Sequence, residues 1–181
     1  RESARVEELT LGYRVAESIM QVASRVLAVA APALQAPKAV RREPGEVVMH
    51  DVSAGEMAAT VVREAREMQA AVGTAAVIAP RQELDAIREA FVAAGADFGD
   101  AEAEGMDHPV TLVPVDRCKG LEFDGVVLVE PQGVVEAAGL RMLYVAITRA
   151  MRRLSVVHTG PLPPFLGSGT AASGRQLVQS A

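Results

Sequence analysis

The chain has 181 residues, half of them hydrophobic, which suits one domain of ordinary size with a substantial buried core. Its net charge of -5 excludes a general attraction to phosphate backbones, so any nucleic-acid contact would have to come from a local patch. One cysteine, Cys118, excludes an internal disulfide, and three scattered histidines offer no metal-ligand spacing.

Aromatic residues are few and Trp is absent, so the core must be built from Val, Leu, Ile, Ala and Met. No apolar run approaches the roughly 18 to 20 residues that span a bilayer, and no basic segment followed by an apolar one opens the chain. The expectation is a protein with no membrane partner in a reducing, cytoplasmic setting. The first residue is Arg, which fits a domain taken from a longer protein.

Taken in chain order, residues 9–11 read as a short strand, and Val15, Ile19, Val22 and Val26 then recur at helical spacing until Pro32. The stretch "APALQAPKAVRREPGE" carries three prolines and reads as an extended connector. Residues 47–52 are a strand candidate, and Ser53 with Glu56 forms a capping-box signature for a helix to about Ala71. "TAAVIAP" reads as a buried parallel strand, followed by a helix over 82–94 that ends at Gly95. A glycine- and acid-rich loop precedes two more apolar strands, 110–115 and 125–130, and a helix is predicted over 134–150. Residues 154–158 read as a last strand, and 161–181 lose periodicity and are expected to be a flexible tail. Strands alternating with helices imply crossover units, hence an α/β fold with an open parallel sheet and helices on both faces. Ligands of such sheets bind at the carboxyl ends of strands, which directs attention to the turn after Val115.

An ATP-hydrolysing site needs a phosphate-cradling loop, and neither GxxxxGK[ST] nor GxGxxG occurs. The chain offers instead Arg14 after a strand, the charged turn over 119–124, and Arg149 near a helix end. Three segments give these residues a context: "LTLGYRVAESIM", "VTLVPVDRCKGLEFDGVVLVEP" and "LRMLYVAITRAMRRLSVV". In their order and strings they resemble the last three helicase motifs of the UvrD-like superfamily 1 ATPases, across almost the whole chain.

The resemblance implies the C-terminal RecA-like domain of a two-domain motor, of P-loop NTPase type, occupying residues 1–160. ATP would sit in the cleft against an N-terminal RecA-like domain of the same protein, which would hold the phosphate loop and the ligands of Mg²⁺. It further implies that Tyr13 stacks on the adenine, that Arg14 and Arg149 reach the γ-phosphate as the catalytic cations, and that Glu122 contacts the ribose. Gly120 would let the backbone turn and approach the nucleotide, and Lys119 reads either as a nucleotide or interdomain contact or as a solvated turn residue. A planar, always-charged guanidinium suits a transferring phosphoryl group, worth on the order of 10³ to 10⁵ in rate in related enzymes.

Bland readings stand beside these. Arg149 also suits a cation at a helix C-terminus, Asp124 a turn organiser, and Tyr144 a core position beside Leu143 and Ile147. Arg141, Thr148 and Arg152 read as a local basic edge. The chain also departs from the DNA-translocating pattern, with Pro114 and Asp116 where a Thr and a His usually face single-stranded DNA, and a carboxylate there would repel a phosphate backbone. Before the YVA string it keeps only Arg141, with Gly139 and Leu140 beside it. These departures resemble the HelD branch, ATPases that bind and recycle bacterial RNA polymerase. The alternatives are a 3′–5′ DNA helicase domain, with DNA as a partner, and a RecA-like domain kept only as a scaffold.

Overall fold

The structure, a computed structural model, describes residues 11–12, 15–34, 38–39, 45–103, 108–167 and 176–177. β1 (Leu11–Gly12) pairs in parallel with β2 (Lys38–Ala39). Of the strand read over 9–11, only Leu11 lies within the described residues. Between these two strands runs α1 (Glu17–Ala30), which buries Ile19, Met20, Val22, Ala23, Val26 and Leu27 on one side, the helical stripe read from the sequence.

β3 (Glu46–Asp51) leads into α2 (Ala54–Val72), whose start is closed by Ser53. The Glu56 carboxylate accepts from the Ser53 hydroxyl at 2.6 Å and from its N–H at 3.2 Å, and these bonds hold it below the usual carboxylate range. β4 (Ala75–Ala79) and α3 (Arg81–Ala93) follow, and then β5 (Gly99–Asp100), a two-residue strand inside what reads as a loop. β6 (Val110–Pro114) passes through a single 3₁₀ turn (Val115–Arg117) to β7 (Phe123–Val129).

The single helix predicted over 134–150 is two helices, α4 (Pro131–Ala138) and α5 (Leu140–Ile147). Apolar residues keep a helical spacing across the junction, which hides the break. Gly139 makes it, standing between the helices at φ +82, where a side chain would be strained. The last major strand, β8 (Ala150–His158), begins four residues before the predicted one. Arg152 and Arg153 mask its first half in the sequence, but Arg153 lies in register with Glu46 of β3 and pairs with it at 2.9 Å.

The strand order is β5-β6-β4-β7-β8-β3, all parallel, with β9 (Gln176–Leu177) added antiparallel on β3. Helices cover both faces, as expected. α1, α4 and α5 pack on Ala76, Ile78, Val126, Leu128, Leu154 and Val156, while α2 and α3 pack on Ala75, Val77, Ala79, Val127, Val129 and Val157. This alternation explains why the strands read as continuous apolar runs. Part of the expected tail is packed as well, since Leu166 is buried and Leu162 and Phe165 lie against the first cluster. No helix among the described residues is long and apolar enough to cross a membrane.

One polar cluster is sealed between α2 and the sheet. Glu64, only 3% exposed, accepts a 3.0 Å hydrogen bond from the Ser155 hydroxyl and lies 3.0 Å from His50 Nε2, itself 5% exposed. Burying a carboxylate is costly, and these partners offset the cost.

Candidate functional site

β6 and β7 are both parallel to β4, so the segment joining them must travel the length of the sheet. It begins at the carboxyl end with Asp116 and Arg117, passes inward at buried Cys118, and emerges at Lys119 and Gly120 before reaching Phe123. This corrects the sequence-based placement of the charged turn. Its first residues do lie at the carboxyl end of β6, but residues 119–122 are delivered to the amino end of β7, beside the start of β8. The Phe123 N–H donates to the Arg149 carbonyl at 3.0 Å, and Phe123 pairs with Ala150.

At this amino end, Lys119 and Glu122 are exposed. Gly120 has φ +86, and an added Cβ there would meet nothing within 4 Å, so the glycine is required by the turn itself. Burial pushes the Cys118 thiol up to about 11, which makes it a packing residue rather than a nucleophile. Asp124 is absorbed locally, accepting from the Thr74 hydroxyl at 2.9 Å and the Thr74 N–H at 3.2 Å, the turn-organising role.

Arg149 follows the end of α5 and is half-buried. Its Nε donates to the Val145 carbonyl at 3.0 Å, its Nη1 to the Leu121 carbonyl at 2.8 Å, and its Nη2 to the Thr148 hydroxyl at 3.4 Å. The first of these bonds places a cation on a carbonyl of the last helical turn, the favourable end of the peptide dipoles for positive charge. The second ties Arg149 directly to the 119–122 crossover, 28 residues away in sequence.

The structure therefore gathers Lys119, Gly120, Glu122 and Arg149 at one end of the sheet. Tyr13 and Arg14 lie outside the described residues. The nearest described contact after them is the Ala16 N–H, which donates at 2.9 Å to the carbonyl of Met151, near the start of β8. Tyr144 is half-buried against the core cluster, as read from its spacing, and burial raises its hydroxyl above the ordinary range. Thr148 does not belong to a basic edge. It is 8% exposed, while Arg141 and Arg152 are exposed.

The carboxyl end carries a separate charge network that sequence reasoning missed. The Arg81 guanidinium, at the start of α3, donates to both Glu102 oxygens at 2.9 and 3.0 Å and to Asp116 at 2.7 Å. Arg117 donates to Glu102 at 3.3 Å. The Arg81 bond holds the Asp116 carboxyl below its usual range. Two arginines and two carboxylates leave no net charge there, so Asp116 does not act as the isolated repelling carboxylate its position in the sequence suggests. A sequence signal existed: Arg81 opens a helix directly after a buried strand, at the end of the sheet where Asp116 begins the crossover.

With the geometry in place, the chain can be compared with known proteins. Residues 109–157, which hold β6, the crossover, α4, α5 and nearly all of β8, match the family described as UvrD-like helicase C-terminal domain. No curated protein matches the chain. Among solved structures, the C-terminal domain of a possible DNA helicase from Lactobacillus plantarum WCFS1 has a TM-score of 0.63 at 23% identity, covering 86% of this chain and 92% of that one. That likeness shows a shared fold, an open parallel α/β sheet with helices on both faces. The SWI2/SNF2 ATPase core of Sulfolobus solfataricus, solved in complex with dsDNA, has a TM-score of 0.45 at 16% identity, covering 65% of this chain and 28% of that one, too weak a likeness to build on.

Proposed function

We propose that this chain is the second RecA-like half of an ATP-dependent superfamily 1 motor and completes a nucleotide site across the cleft to a first RecA-like domain. The observation that carries this reading is the 2.8 Å bond from Arg149 to the Leu121 carbonyl, which brings the TRA arginine and the KGLE crossover to one end of the sheet. In this reading Arg149 and Arg14 face the γ-phosphate, Tyr13 stacks on the adenine, Glu122 accepts from a ribose hydroxyl, and Lys119 and Gly120 line the approach. Mg²⁺ bound with ATP supplies charge neutralisation at the phosphates. The resemblance assigns its ligands to the first domain. What this chain contributes is permanent positive charge and the polar edge of a ribose site, so hydrolysis depends on closure of the two domains.

The finer assignment, to HelD-like ATPases acting on RNA polymerase, rests on Pro114 and Asp116 at positions where DNA-translocating relatives carry Thr and His. The bonding of Asp116 to Arg81 neutralises the carboxylate, so this assignment stands on the identity of the two residues and not on charge repulsion. Two measurements test these readings. The isolated chain is expected to hydrolyse no ATP, and steady turnover that disappears with Arg149→Ala would refute the half-site. The full-length protein is expected to copurify with RNA polymerase, whereas unwinding of a 3′-tailed duplex without such association would favour the DNA helicase alternative.

A further inference from the structure

We infer that Thr148 is the positioning residue for Arg149, holding its guanidinium so that two donors remain directed to a ligand. The inference rests on the phosphate-facing reading of Arg149 given above and adds a residue to it. A guanidinium has five N–H donors. Among the described residues Arg149 spends one on Val145, one on Leu121 and one on Thr148, which leaves two.

Thr148 is placed to set that division. Its side chain is buried, and its hydroxyl donates to the Val145 carbonyl at 2.9 Å while accepting from Arg149 Nη2 at 3.4 Å. The same carbonyl accepts from Arg149 Nε at 3.0 Å, so one backbone oxygen orients both side chains. The hydroxyl's own proton is committed to Val145, which turns its lone pairs toward the guanidinium. Arg149 is thus held at three points, on α5, on the crossover and on Thr148. An arginine restrained in this way need not lose rotamer freedom when the phosphate arrives, and small misplacements of such groups are costly to rate.

The test uses the full-length protein with ATP. Thr148→Val keeps the shape and removes the hydroxyl. It is expected to lower kcat about tenfold while KM for ATP changes less than about twofold. Thr148→Ser restores the hydroxyl and is expected to return kcat to within about twofold of the parent protein. Thr148→Ala carries the same expectation as Val and serves if the valine variant fails to fold. In an Arg149→Ala background, Thr148→Val is expected to add no further loss, because its effect passes through the guanidinium. The inference is overturned if Arg149→Ala abolishes turnover while Thr148→Val and Thr148→Ala leave kcat unchanged, if Ser fails to rescue, or if Val adds an independent loss in the Arg149→Ala background. If Arg149→Ala itself leaves turnover unchanged, the half-site reading falls first, and the two failures are told apart.

Discussion

Arg149→Ala in the full-length protein is expected to lower ATP turnover by about 10³-fold or more, with a much smaller effect on ATP affinity. The asymmetry follows from the chemistry, since a guanidinium that meets charge developing on the transferring phosphoryl group acts mainly in the transition state. Arg149→Lys is not expected to restore the rate. An ammonium lacks the fork that lets Arg149 hold the Val145 and Leu121 carbonyls at 3.0 and 2.8 Å and still present further donors. Steady-state and single-turnover assays separate the rate effect from binding. If the domain is only a scaffold, Arg149→Ala and Arg14→Ala leave turnover at the parent level.

Glu64→Ala is expected to destabilise the domain by about 2 to 3 kcal/mol. Glu64 reaches from α2 to Ser155 on β8 and to His50 on β3, both at 3.0 Å, and all three residues are buried. Truncation removes the acceptor of the Ser155 hydroxyl, takes the carboxylate away from His50, and opens a gap beneath α2. Glu64→Gln is expected to cost less, because an amide retains an acceptor for Ser155 and offers a donor to a neutral imidazole nitrogen. Urea unfolding followed by circular dichroism checks both values. A loss below about 1 kcal/mol for the alanine variant would show that the cluster contributes little.

Much of the architecture was legible because both faces of the sheet are buried. Ala75–Ala79 and Phe123–Val129 carry apolar side chains into both clusters, so their runs stand out from the surrounding helices. Boundaries were lost where a long-range partner overrides local pattern. The first half of β8 looks too charged for a strand until Arg153 meets Glu46, and the α4–α5 junction looks helical until Gly139 turns at positive φ. Two-residue β5 had no pattern to find.

The site was legible only as side chains. Lys119, Gly120, Glu122 and Arg149 could be named from their strings, but the group joining them is the Leu121 carbonyl, which every residue possesses and no sequence marks. The end of the sheet to which they belong was misplaced for a similar reason, since direction depends on β6 and β7 both running parallel to β4. Asp116 read as a lone repelling charge because its partner, Arg81, stands 35 positions earlier.

The measurement that tests the central claim most directly is a structure of the full-length protein with Mg²⁺, ADP and aluminium fluoride as a mimic of the transferring phosphoryl group. The half-site account predicts an Arg149 guanidinium nitrogen about 3 Å from a fluoride, with Glu122 facing the ribose and the nucleotide at the amino end of β7 and β8. A nucleotide seated instead at the carboxyl end beside Arg81 and Asp116, with Arg149 still bonded only to Val145, Leu121 and Thr148, would contradict it.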